Sequence, residues 1–202
     1  MNSLPRIYSY KLSRDFGFAP NPFHGICTLA TCKPQIRKGA QVGDIIIGCG
    51  SIELNMQGKI IFAMRVSEKM TFQQYWNDSR FAIKKVDLYS SKSAAYGDNI
   101  YHIENGQWVQ EDSHHSLDGG EVHTENLDRD TGSDNVLIGV DFIYWGANAP
   151  IMPTHLRDLD GDDLLPSGRN YRSNFSDPFR SSVAEWFTNL PYRGNLGRPT
   201  CW

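Results

Sequence analysis

"VGDIIIGCGSIELNMQGKIIFAMRVSEK", residues 42–69, decides the fold class. "DIIIGCG" and "IIFAM" are uninterrupted apolar runs of strand length, rich in isoleucine. Such runs read as strands buried on both faces, whereas a half-exposed strand alternates apolar and polar residues. A Val-Gly turn leads into the first run and glycines lead out of it. "IELNMQ" joins it to the second, so the two strands form a hairpin with a modest loop. Both runs fall well short of the roughly 20 apolar residues that a membrane-spanning helix needs.

On the amino-terminal side, "RIYSYKL" (6–12) alternates as a half-buried strand does. "SRDFGFAPNPFHG" (13–25) is dense in Gly, Pro and Asn and reads as an ordered loop. Pro34 opens a short helix through Arg37 that Gly39 closes. On the carboxy-terminal side, "TFQQYWND" (71–78) starts with the capping-box pair Thr71 and Gln74 and reads as a short amphipathic helix. "DNIYHIENGQWVQE" (98–111) reads as a hairpin turning at Asn105-Gly106. Residues 112–134 are acidic and nearly without apolar side chains, which predicts a mobile excursion. "NVLIGVDFIYWG" (135–146) returns to strand character, and "LRDLDGDDLLPSGRNYRSNF" (156–175) is loop-like. The clearest helix is "SDPFRSSVAEWFTNL" (176–190), with Asp177 as its cap, Pro178 at its first position and an apolar face of Phe179, Val183, Trp186, Phe187 and Leu190. These elements predict one α+β domain over 1–202. Its centre is a curved mixed sheet or small barrel with short flanking helices, and 111–135 is an acidic flexible loop inserted in it.

The amino terminus, "MNSLPRIYSYKL", has no apolar signal core, so a cytoplasmic chain without a membrane partner is expected. Four cysteines in 202 residues make no disulfide framework and read as reduced thiols. Charge is segregated: residues 1–92 carry 13 Lys/Arg against 6 Asp/Glu, and residues 93–163 carry 2 against 15. Residues 164–202 carry 5 against 2. Basic ends around an acidic middle suit a partner that bears phosphates.

Candidate chemistry centres on "HGICTLATCKPQIR" (24–37). His24, Cys27 and Cys32 lack the spacing and the fourth ligand of a structural zinc site, so no metal and no cofactor are expected. Cys27 alternates with Leu29 as a core residue does. Cys32 is a candidate nucleophile with His24 as its base, in the positive surroundings of Lys33 and Arg37. His24, Asp44 and Asp141 are the acid/base candidates. For phosphate, Lys33 and Arg37 share a helix side at i and i+4, and Arg169, Arg172 and Asn174 offer a second clamp. For a base, Trp76 or Trp145 offers a stacking ring, and Asn21 or Ser51 an edge partner. Asp44 and Ser51 would border the pocket. His114, His115 and His123 lie in the acidic stretch, where a divalent ion is conceivable but nothing fixes a geometry. "DLDGDD" (158–163) fails as a calcium loop, because Asp163 takes the sixth position, where glycine is required.

Four stretches carry a family resemblance: "PNPFHGICTLATCKPQIRKGAQVGDIIIGCGS" (20–51), "IIFAMRVSEKMTFQQYW" (60–76), "DFIYWG" (141–146) and "RSNFSDPFRSSVAEWF" (172–187). Together they resemble the nucleotide modification associated domain 2 family. The resemblance implies a setting of DNA base modification and phage–host conflict in bacteria, with no established reaction. Gly43-Asp44 through Ser51, followed by Val66-Ser67-Glu68, is similar to the PUA-like barrels, including the EVE, ASCH and YTH groups. That likeness implies a pocket for a flipped or modified base. The expected function is a module that binds a modified base or nucleotide, alone or in nucleic acid. The alternatives are an enzyme that modifies, removes or hydrolyses such a base, and a defence or anti-defence adaptor whose acidic stretch binds protein. Oligomeric state stays open.

Overall fold

The computed structural model describes residues 4–168 and 170–202. In chain order the strands are β1 (Ile7–Leu12), β2 (Cys27–Leu29), β3 (Ile45–Gly50), β4 (Ile60–Arg65), β5 (Glu68–Met70), β6 (Tyr101–Glu104), β7 (Gln107–Gln110), β8 (Val136–Gly139), β9 (Asp141–Tyr144) and β10 (Gly194–Asn195). The α-helices are α1 (Pro34–Gly39), α2 (Phe72–Asn77), α3 (Lys92–Ala95), α4 (Thr124–Thr131) and α5 (Asp177–Thr188). The chain divides into two compact units. The first comprises the chain up to Asp15, Ala40–Ser67 and Gly139–Trp202, and the second comprises Phe16–Gly39 and Glu68–Ile138.

The first unit is built on one open mixed sheet in the order β1-β3-β4-β9-β10. β1 runs parallel to β3, and β3, β4 and β9 pair antiparallel. Residues 45–50 and 60–64 are buried without exception, which is why those strands do not alternate. A register shift at Gly48/Cys49 bulges β3 against β4. A Cβ at Gly48 would lie 2.3 Å from the Phe62 ring and 2.4 Å from Leu12, so only glycine lets these three meet. Helix α5 lays Phe179, Val183 and Phe187 on a cluster that contains Ile7, Ile45, Ile47 and Ala63. Its cap is Ser176, whose Oγ accepts the Phe179 N–H, one residue earlier than the sequence suggests. Asp177 occupies the first turn and pairs with Arg180 at 2.7 Å.

The second unit holds the three-stranded sheet β2-β8-β5 and the β6–β7 hairpin. Asn105 (φ 50°) and Gly106 (φ 79°) make its turn in left-handed conformations, as the Asn-Gly pair predicts. The Thr71–Gln74 capping box forms on α2. Phe18, Phe72, Tyr75, Phe81, Ile100, Tyr101, Val136 and Ile138 make the apolar core. A polar knot lies beside it. The buried Lys84 ammonium donates to Asn21 O, Asn21 Oδ1 and Ile26 O, while buried Asp98 accepts from Thr28 Oγ1 at 2.6 Å and Tyr75 Oη at 2.8 Å. The knot pins the Pro/Asn-rich loop and holds Asn21 in a structural role. Within residues 112–134, α4 forms over Thr124–Thr131 and buries Asp130 completely, which an excursion into solvent would not do. Both units together give the α+β class with mixed sheets, and the sheets stay open, so the barrel alternative does not form.

Candidate active site

Strand β2 delivers the chain through Ala30 and Thr31 to Cys32. There the backbone turns left-handed at two successive residues, Cys32 (φ 55°) and Lys33 (φ 43°), before Pro34 opens α1. For side-chain-bearing residues this conformation costs roughly 1–2 kcal/mol each, and it persists where surrounding contacts over-determine it. Here they do. Asp130 Oδ1 accepts the Cys32 N–H at 2.9 Å and Arg37 Nε donates to the Cys32 carbonyl at 2.8 Å. The Arg37 guanidinium also donates to the carbonyls of Asp130, Ser133 and Asn135. Its side chain is fully buried. Burial lowers its pKa to about 10, against the opposing pull of Asp130 and other neighbours, so it stays charged at neutral pH.

His115 stands between the thiol and the carboxylate. Its Nε2 lies 3.8 Å from Cys32 Sγ, and its Nδ1 lies 2.8 Å from Asp130 Oδ2. Asp130 also accepts Arg129 Nε at 3.0 Å and Tyr101 Oη at 3.0 Å. Gln110 Nε2 and Asn126 Nδ2 both donate to the His115 carbonyl, and Phe18 packs edge-on to the imidazole at 4.6 Å. The ring is therefore held from its backbone, its edge and both nitrogens.

Burial lowers the His115 pKa, but the hydrogen bonds and charges of Asp130 and Cys32 outweigh it and set the value at about 9. Burial raises that of Asp130, yet His115 and Arg129 hold it below the ordinary carboxylate range. At neutral pH the site therefore holds an imidazolium against a carboxylate, with the sulfur on the other side. Lys33 and Arg129 add positive charge that acts on Cys32. Positive charge therefore lies beside the Cys32 sulfur. By contrast, burial pushes the Cys27 and Cys49 thiols up to about 12. Both are fully buried in the apolar interior.

The ligand-type atoms of Cys32, His115 and Asp130 lie within 4.8 Å of one another, close enough to suggest a metal site. The geometry favours a relay. One ion would take the thiolate and the carboxylate around the same imidazole nitrogen, whereas here each faces a different one. Asp130 is already accepting from four donors. Nucleophile, base and orienting carboxylate in this order are the parts of covalent acyl-transfer catalysis.

The family model for nucleotide modification associated domain 2 matches residues 4–202. The chain belongs to this family. Its description connects this nucleotide modification associated domain with nucleotide modification. No curated protein and no solved structure matches the chain. No helix among the described residues is long and apolar enough to cross a membrane.

Within the domain, several residues singled out from sequence have other employment. Arg37 is a buried clamp, with four of its five N–H donors on carbonyls, which removes it from a surface phosphate site. Trp76 stacks on His102 at 3.9 Å and lies 3.4 Å beneath the Lys85 ammonium. Two groups that close must occupy opposite faces, so neither face is open to a base. Trp145 packs with Trp186 on the apolar cluster of the first unit. Asn21 is tied to Lys84 and to the Tyr96 carbonyl. Asp44 accepts the backbone N–H groups of Arg6 and Gln41, and Asp141 pairs with Arg65 and Arg193. Ser51 is buried with an Oγ that has no hydrogen-bond partner among the described residues. His24 is exposed, and the imidazole at Cys32 is that of His115. His114 joins the rings of Phe16 and Tyr96, and His123 caps α4. Lys33 and Cys32 belong to the second unit, and Arg172 and Asn174 to the first. Arg169 lies outside the described residues. Sequence reasoning pairs Cys32 with His24, whereas the structure brings His115 and Asp130 to Cys32, and neither was paired with it from sequence.

Proposed function

We propose that the domain is a thiol-dependent enzyme of nucleotide modification, in which Cys32 attacks an electrophilic carbon on a modified base or nucleotide. The observation that carries this reading is the Cys32–His115–Asp130 relay on strained, clamped backbone. As an Sγ–C bond forms at an acyl or amidine carbon, the thiol proton is held on His115 Nε2. His115 then protonates the departing amine or alkoxide as its bond to that carbon breaks. Water, or an amine acceptor, attacks the resulting thioester or thioimidate carbon and gives its proton to His115, and the Sγ–C bond breaks to release Cys32. Asp130 keeps the imidazole oriented and stabilises its charge throughout. The net reaction is hydrolysis or acyl transfer, without redox change. A base inside duplex DNA would have to be extruded to reach the sulfur. This chemistry suits the trimming or installation of base substituents in DNA modification or phage–host conflict.

Nucleotides and phage DNAs carrying acyl- or amide-substituted bases, incubated with the protein, are expected to yield a mass-shifted product and a transient adduct on Cys32. Cys32→Ala is expected to abolish both. Product formation that persists undiminished in Cys32→Ala would refute the assignment.

A further inference from the structure

The first unit carries a feature that the thiol chemistry does not use. Lys11 of β1, Arg157, Asp163 and residues from the segments 165–168 and 170–174 line a cleft of about 850 Å³. That lies within the range of small-ligand sites, roughly 300–1,000 Å³. Among the described residues, the lining includes three cationic residues, Lys11, Arg157 and Arg172, and one carboxylate, Asp163.

The carboxylates there are engaged as anchors. Asp163 Oδ1 accepts Arg157 Nε at 2.7 Å and the Leu165 N–H at 2.8 Å. Asp162 accepts Arg172 Nη2 and, at 2.8 Å, the Ser176 N–H. Phe175 supports the Arg172 guanidinium from 4.7 Å. Each arginine is thus fixed at one edge. The two Nη groups of Arg157 and the Lys11 ammonium have no hydrogen-bond partner among the described residues. A fixed guanidinium with donors to spare is the arrangement that receives a phosphate. Ser167, Asn170, Ser173 and Asn174 add short polar side chains to the lining, and Tyr171, a partly exposed residue, adds a ring.

We infer that this cleft binds the phosphate of a nucleotide, with Lys11, Arg157 and Arg172 as the cationic ligands and Asn174 among the polar contacts. The phosphate belongs either to a free nucleotide or to a nucleic-acid strand. The inference stands apart from the Cys32 chemistry and does not need it.

Calorimetric titration of the full chain at low salt tests it with four probes: inorganic phosphate, the four deoxynucleoside 5′-monophosphates, the matching nucleosides and a ten-residue single-stranded oligodeoxynucleotide. Phosphate-bearing probes are expected to bind and nucleosides are not. Lys11→Glu should weaken that binding at least tenfold, and Lys11→Gln by less. Thermal midpoints of both variants identify any loss through misfolding, and Lys11→Gln stands in if Lys11→Glu does not fold. Binding of the monophosphates alone would identify a free-nucleotide site. Binding of the oligonucleotide alone, weakening by tenfold or more between 50 and 200 mM salt, would identify a strand site. Cys32→Ala should bind as the unaltered protein does, so failure here and failure of the thiol chemistry are separable. Equal affinity for nucleosides and monophosphates, no binding of any phosphate-bearing probe, or unchanged affinity in both folded Lys11 variants would overturn it.

Discussion

Iodoacetamide at neutral pH is expected to modify Cys32 and to leave Cys27 and Cys49 untouched. His115→Ala is expected to slow that modification by about 10²-fold, the low end of what a positioned acid/base group contributes. The reasoning is geometric. Cys27 and Cys49 are fully buried, with thiols pushed up to about 12, whereas Cys32 is partly exposed beside an imidazole that titrates near 9. Cys201 is also partly exposed, but it accepts the Asp15 N–H and has no histidine partner among the described contacts. Asp130→Asn keeps the volume while altering the proton pattern around Nδ1, so it should also slow the reaction. Peptide mapping after brief, limiting alkylation gives the rates by site. Equal rates at Cys32 in the unaltered protein and in folded His115→Ala would show that the imidazole contributes nothing.

Arg37→Ala should cost stability in the range of about 3–5 kcal/mol, because it leaves buried acceptors without their charged donor. For a chain of this length that is a fall in thermal midpoint of roughly 10 °C or more. Four carbonyls, those of Cys32, Asp130, Ser133 and Asn135, lose their partner at once. Arg37→Lys should not restore the midpoint, because one ammonium on a flexible stem cannot reach the same set in the same plane. Cys32 alkylation should also fall in any Arg37 variant that still folds, since the clamp helps to hold the left-handed turn. A midpoint within about 2 °C of the unaltered protein would mean that the guanidinium is not the internal tie described here.

The framework was legible because apolar burial writes itself into local pattern. Unbroken runs mark β3 and β4, Thr71 and Gln74 mark α2, Asn105-Gly106 marks the β6–β7 turn, and the spacing of Phe179, Val183 and Phe187 marks α5. Of the Cys32, His115 and Asp130 cluster, the sequence singles out Cys32 but not the residues around it. Asp130 sits in a stretch whose acidity signals solvent, yet it is buried, because Cys32, Tyr101, His115 and Arg129 converge on it from separations of up to 98 residues. No local pattern carries that information. His115 looked no different from His114 and His123, and only the fold assigns one to aromatic packing, one to a helix cap and one to the thiol. Arg37 read as a surface cation beside Lys33. Ile36 and Arg37 are both buried, while Gln35 and Lys38 of the same helix are exposed, and nothing local tells Arg37 from Lys38. Trp76 read as an open ring because the sequence does not show that His102 and Lys85 cover it.

Whether Cys32, His115 and Asp130 act as one unit is decided by following the His115 ring nitrogens by ¹⁵N NMR across pH, in the unaltered protein and in Cys32→Ala. The expected midpoint is about 9, with the imidazolium intact at neutral pH. Removing the sulfur takes away two of the contributions that raise it, so the midpoint should move down in the variant. A midpoint near the ordinary histidine value of about 6.5, or one that does not move when Cys32 is replaced, would contradict the relay.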